Sequence, residues 1–129
     1  MENQYNMKTV KIYTAGAVRE TAYREFVHKV YGDNPKIELI DPLLIVKQIF
    51  PQVVEEDKRY IRECDVLVAF VEEPSFGTVM EIIYAYEQGK PVYIINPNKK
   101  HECNFWIKYH ATNIYYSISD CFDKILQKI

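Results

Sequence analysis

The chain has 129 residues, of which 48% are hydrophobic and 26% charged, and its formal net charge is -2. These values predict one domain around one core. They exclude the basic field that holds nucleic acid, and no apolar run approaches the roughly 20 residues that span a bilayer.

In chain order, Met1 to Lys8 is polar and lacks the apolar middle of a secretion signal, which predicts a cytoplasmic protein. Thr9 to Thr14 (TVKIYT) reads as a strand ending at Ala15-Gly16. Thr21 to Tyr31 reads as a helix closed by Gly32-Asp33, and Lys36 to Ile40 as a short strand stopped by Asp41-Pro42. Leu43 to Phe50 is a helical turn or a loop, and Gln52 to Cys64 a helix after Pro51. Val66 to Val71 (VLVAFV) is continuously apolar, as a strand is when both sheet faces are covered. A helix is predicted over Val79 to Gln88, stopped by Gly89. Two strands, Pro91 to Ile95 and Asn113 to Tyr116, and a closing helix, Asp120 to Ile129, follow. This alternation predicts a single α/β domain over residues 1–129: a five-stranded parallel sheet in the flavodoxin-like order 2-1-3-4-5, with helices on both faces. Such sheets bind ligands beyond the carboxyl ends of their strands, at the switch point. That singles out two loops, Ala15 to Arg19 and Glu72 to Thr78.

Three cysteines, Cys64, Cys103 and Cys121, are widely spaced with no CxxC, so no disulfide framework is expected. His101, Cys103 and His110 match no standard metal spacing, and the segment reads as plain surface.

The informative stretch runs from Glu72 to Glu81. Read from spacing, Glu81 lies in the first turn of its helix, where the macrodipole favours a carboxylate able to attack an anomeric carbon. The same spacing, Thr78-x-x-Glu81, is a capping box in which Glu81 only reaches back to the cap amide. Asp57 lies on the stripe of Val53, Val54, Ile61 and Cys64, a costly place for a carboxylate unless it is paired or functional. The alternative is a stripe-end Asp reaching solvent or an arginine. Asp65 reads as a turn or capping residue. The first loop has Gly16 and Arg19, not the GxGxxG of a dinucleotide site. One glycine and an arginine can hold a phosphate, but taken alone the pattern reads first as an ordinary surface arginine. Tyr13, just before the loop, lines the pocket or the core.

Together these pieces resemble the nucleoside 2-deoxyribosyltransferase family, over Lys11 to about Asn113. The matching pieces are Lys11 to Gly16, then Asp57 followed by Cys64 to Ala69, then Gly77-Thr78-x-x-Glu81, Ala85 and Gly89-Lys90-Pro91-Val92. The resemblance implies an enzyme that cleaves the N-glycosidic bond of a nucleoside or nucleotide. Glu81 would be its nucleophile, Asp57 its acid/base residue and Tyr13 a neighbour of the site. Asn113 would come from an adjoining subunit of a homodimer or larger assembly, and no metal or organic cofactor is implied. Ile83 stands where the family often has glycine. Ser75 stands where transferases acting on free nucleosides carry an acid. Pro74-Ser75-Phe76-Gly77 and Arg19 resemble the 2′-deoxynucleoside 5′-phosphate N-hydrolase branch, where the position of Ala17 is usually serine. Asn113 looks more like the transferase branch. A nucleotide-sensing module without turnover is the alternative, and retention of both Asp57 and Glu81 argues against it. A phospho-receiver would need paired acids where this chain has Thr14-Ala15-Gly16.

Overall fold

A computed structural model describes residues 9–129, so Met1 to Lys8 and the expectation attached to them lie outside the described residues. The elements are β1 (Val10–Ala15), α1 (Thr21–Tyr31), β2 (Ile37–Ile40), α2 (Pro42–Ile45), α3 (Gln52–Glu63), β3 (Val66–Phe70), α4 (Phe76–Glu87), β4 (Val92–Ile95), α5 (Phe105–His110), β5 (Asn113–Tyr115) and α6 (Ile118–Gln127). All four pairings are parallel and the order is β2-β1-β3-β4-β5, as the alternation predicts. Among the described residues no helix is long and apolar enough to cross a membrane.

Strand parity divides the core into two layers. Ile12, Val66, Val68, Phe70 and Ile95 pack with Tyr23, Val27 and Tyr31 of α1 and with Cys121, Phe122 and Ile125 of α6. Tyr13, Ala15, Leu67, Ala69, Val92 and Ile94 pack with Ile61 of α3, Ile82 and Ala85 of α4, and Ile107 of α5. Parity therefore sends Tyr13 to the face covered by α3 and α4, the helices that carry Asp57 and Glu81. Asp65 accepts a bond from the Lys11 amide at 2.8 Å while its own amide donates to the Lys11 carbonyl, so it extends the pairing of β1 with β3.

Several boundaries differ from the sequence reading, and side-chain caps explain them. α4 begins at Phe76, not Val79, because Ser75 in an extended conformation accepts from the Thr78 amide at 3.2 Å. α6 begins at Ile118, not Asp120, because Ser117 accepts from the Asp120 amide at 3.0 Å. Within Leu43 to Phe50, helix is confined to the turn that Asp41 caps. The segment read as plain surface contains α5, capped by Asn104.

Leu67 is fully buried at the centre of the sheet. Leu67→Ala should cost about 2–5 kcal/mol in urea unfolding, the transfer term plus the cavity left behind. A loss below about 1 kcal/mol would show that this layer closes over the void.

Candidate active site

The Tyr13 side chain is fully buried, and its hydroxyl donates to Glu81 Oε2 at 2.9 Å. Tyr13 thus belongs to the core by its ring and to the site by its oxygen. Because α4 starts at Phe76, Glu81 falls in the second turn of the helix, not the first. The capping-box reading of Thr78-x-x-Glu81 is corrected accordingly: Ser75 is the cap, and Glu81 is turned to Tyr13. The dipole argument for Glu81 falls with it, since that effect fades within the first turn.

Burial pushes the Glu81 carboxyl up to about 8, with the Asp57 charge adding to the rise; the Tyr13 hydrogen bond and the more distant Arg24 cation oppose it. Although Glu81 as a residue keeps some solvent contact, its carboxyl end lies against Tyr13. Asp57 is half-buried and its carboxyl is also raised by burial, while interaction with Glu81 works the other way. The pair therefore behaves as two carboxylates that hold one proton near neutral pH. Burial lifts Tyr13 far above the usual phenol range, so it remains a donor. Asp57 Oδ1 is buried without a hydrogen-bond partner. Unmet acceptors of this kind are rare in protein interiors and require a reason.

Asp57 and Glu81 line a cavity of about 150 Å³ with Gly16, Arg24, Gln48 and Ser75. It lies beyond the carboxyl ends of β1 and β3, at the switch point. On its other side, Asp57, Gly77 and Glu81 also line an apolar groove between α3 and α4, walled by Val54, Ile61, Met80 and Tyr84. A Cβ at Gly77 would meet only Ser75 Oγ, at 3.8 Å, so local packing does not demand glycine there. Its missing side chain instead leaves space where cavity and groove meet. Gly16 differs: a Cβ would press on the Tyr23 ring at 3.2 Å.

Other residues singled out from sequence lie elsewhere. Arg19 is 64% exposed and donates to the Glu73 carbonyl at 3.1 Å; Glu73 in turn pairs with Lys100. Arg19 is outside the cavity lining, whereas Val18 is part of it. Asn113 is exposed at the start of β5 and lines neither cavity nor groove. His101 contacts the Glu72 carbonyl, His110 the Trp106 carbonyl, and Cys103 is exposed; among the described residues no cluster of ligands could hold a metal ion. Cys64 and Cys121 are buried free thiols.

Sequence reasoning missed Arg24 and Gln48. Arg24 carried a usable signal: it lies three residues before Val27 and seven before Tyr31, on the apolar face of α1, just as Asp57 lies on that of α3. Gln48 sits in an irregular segment and carried none.

No protein-family model matches the chain. It is 47% identical over 53 residues to the Thermofilum pendens protein named "Putative 2'-deoxynucleoside 5'-phosphate N-hydrolase 1", a match covering 40% of this chain and 37% of that relative. The match thus spans little more than a third of the relative's length. Among solved structures, a 2-desoxiribosyltransferase of Leishmania mexicana superposes with a TM-score of 0.68 at 20% identity, over 92% of this chain and 97% of that one. A CMP N-glycosidase of Clostridium botulinum gives 0.67 at 20% identity, over 92% and 99%. A conserved protein of Enterococcus faecalis gives 0.69 at 17% identity, over 94% and 99%. At these identities the structures share the fold.

Buried Glu81 binds its proton more tightly in the folded chain (about 8) than in the unfolded chain (4.5). Between those values the folded state holds more protons, so its stability falls as pH rises and levels off above the upper one. Glu81→Gln keeps an acceptor for Tyr13 and removes this penalty. Its stability advantage over the unmodified chain, measured by urea unfolding at each pH, should grow from pH 5 to pH 8, reaching on the order of a few kcal/mol. An advantage that stays flat across that range would show that the carboxyl is solvated.

Proposed function

We propose that this chain, a member of the nucleoside 2-deoxyribosyltransferase family, cleaves the N-glycosidic bond of a 2′-deoxynucleoside or its 5′-monophosphate through a covalent Glu81 ester. The observation that carries the reading is the Tyr13–Glu81 hydrogen bond beside Asp57, at the ligand-binding edge of the sheet. In the reactive form Glu81 is ionised and Asp57 holds the pair's proton. Glu81 attacks C1′ as the C1′–N bond breaks, and the departing base takes the proton from Asp57 or from a water that Asp57 holds. A water or a second base, giving up its proton to Asp57, then attacks C1′ and frees the Glu81 carboxylate. Two displacements give net retention. Tyr13 favours the ionised nucleophile in the free enzyme and the carboxylate that leaves in the second step.

The two-sided site supports a substrate with a polar sugar end and a flat, less polar base. A 5′-phosphate is favoured over a free hydroxyl by Ser75, whose hydroxyl lines the cavity where a carboxylate would repel an anion. Arg19 would join a phosphate only by leaving Glu73, an exposed contact worth little. Asn113, which lines neither the cavity nor the groove, fits the proposal that a second subunit completes the site.

Incubation with dCMP, dGMP, dAMP, dTMP and the matching deoxynucleosides, with and without adenine, read by chromatography, tests the reaction. Glu81→Gln should abolish turnover while still binding substrate; undiminished turnover would remove Glu81 from the chemistry. Ser75→Asp retains a good N-cap, so it changes the site without unseating α4. It should lower kcat/KM for dCMP about a hundredfold and leave deoxycytidine unaffected or improved. A starting protein that prefers deoxycytidine and passes its sugar to adenine would make the chain a transferase instead. The pH profile of kcat/KM should be a bell whose basic limb falls near 8, where the pair loses its last proton. A rate that still rises at pH 9 would mean that Asp57 supplies no proton.

A further inference from the structure

Beside the carboxylate pair stands a charged cluster that the proposed chemistry does not use. Arg24 of α1 is 9% exposed. One of its terminal nitrogens donates to Asp41 Oδ1 at 2.7 Å, and the other to the Gly16 carbonyl at 2.5 Å. Asp41 is 3% exposed and also accepts from the Leu43 amide that opens α2, at 3.1 Å. Its second oxygen lies 2.9 Å from His28 Nε2. Gly16, Arg24, Pro42 and Leu43 all line the cavity that holds Asp57 and Glu81.

We infer that Arg24 is a positioning residue of this site, a buried clamp that holds the loop after β1 against the start of α2. The loop and α2 are two walls of the cavity, and both hang from one guanidinium–carboxylate pair. Gly16 has no other side chain holding its carbonyl among the described residues. A planar fork suits this task because its two bonds diverge to separate partners in fixed geometry. A lysine has the charge and lacks the second prong. Burial makes the clamp stiff, since neither partner can trade its bond for water without exposing the other.

Charge gives the clamp a second effect. The groups facing Glu81 are Tyr13 from β1 and Asp57 from α3, with Arg24 the cation on the cavity side and Lys58 on the groove side. The groups facing Arg24 are Asp41 and, through it, His28. Removing Arg24 therefore takes a cation from a site that holds two carboxylates, and the last proton of the pair should leave at higher pH.

This inference rests on the proposed reaction for its kinetic arm only. Four variants are compared with the starting protein: Arg24→Gln, Arg24→Lys, Asp41→Asn, and Arg24→Gln combined with Asp41→Asn. Turnover of dCMP is followed against pH. Independently of turnover, the Glu81 carboxyl is titrated by carbon NMR of protein labelled at glutamate carboxyls, assigned with Glu81→Gln. Exchange of the Gly16 to Arg19 amides is followed by mass spectrometry. Arg24→Gln should raise KM about tenfold or more, speed loop exchange and move the Glu81 titration to higher pH. Arg24→Lys should restore the titration and leave KM raised. The double variant removes the Asp41 charge that Arg24→Gln leaves with only His28 and the Leu43 amide, so it should regain Tm and neither KM nor the full titration. If Arg24→Gln does not fold, the double variant and Arg24→Lys carry the same comparison. Unchanged loop exchange and an unchanged Glu81 titration in the Gln variants would overturn the inference. A protein inactive on every nucleoside and nucleotide would refute the proposed reaction and leave these two physical readouts to decide Arg24.

Discussion

A carboxylate cannot be drawn out of water without something that answers its charge, and Glu81 is answered by one hydrogen bond from the sheet. That bond sets the demands on everything around it. Its donor comes from β1, a strand paired on both sides: Tyr13 stands opposite Ile40 of β2 and Leu67 of β3. The phenol ring fills the layer beneath α3 and α4, and the oxygen emerges where that layer meets the cavity. The donor is thus held by the same packing that stabilises the domain, while its acceptor sits on a helix fixed by Ile82 and Ala85. Such a contact costs no rearrangement when charge moves onto or off Glu81, which is what preorganisation means physically.

The same constraint explains why the site is a pair. One buried carboxyl with a single donor would simply take up a proton and stay neutral. A second carboxyl beside it makes that proton mobile, because the two groups share it and burial raises both. Asp57 serves this purpose from α3, where it interacts with Glu81 in the lining of the cavity. The surrounding polarity then sorts the two sides. Gly16, Arg24, Gln48 and Ser75 supply donors and acceptors on one, and Val54, Ile61, Met80 and Tyr84 supply apolar surface on the other.

Much of this was legible in the sequence, and the failures have physical causes. Val66 to Val71 announced a strand covered on both faces, and the alternation around it gave the strand order. Asp57 was visible as a charge on an apolar stripe, though Val54 of that stripe proves half exposed and walls the groove. Glu81 stood out by its place in the helix after the β3 loop, and the rival capping reading fails in the fold because Ser75, three residues upstream of Thr78, takes the same amide. α5 escaped because its six residues show too few turns for a period to emerge. Arg19 was legible as a cation in the right loop, but its direction depends on Glu73 and Lys100, which other segments bring up. Roles came from family resemblance, whereas the link between Tyr13 and Glu81, 68 residues apart, needed the fold.

Ser75 shows how a fold requirement and a substrate requirement can occupy one atom. Its hydroxyl oxygen accepts from the Thr78 amide at 3.2 Å and lies 3.0 Å from Thr78 Oγ1. A hydroxyl has one proton to give and two lone pairs to offer. If Thr78 donates its own proton to Ser75, both lone pairs are filled and the Ser75 proton is left for the cavity. If Ser75 donates to Thr78 instead, the cavity receives no donor from it. An anion in the cavity favours the first arrangement, and a ligand hydroxyl seeking an acceptor favours the second. An aspartate at position 75 would cap α4 equally well and suit only the ligand hydroxyl, because its second oxygen can only accept. The helix start therefore leaves the residue at this position free to vary between two chemistries, and under the proposed function the serine present here suits the anionic one.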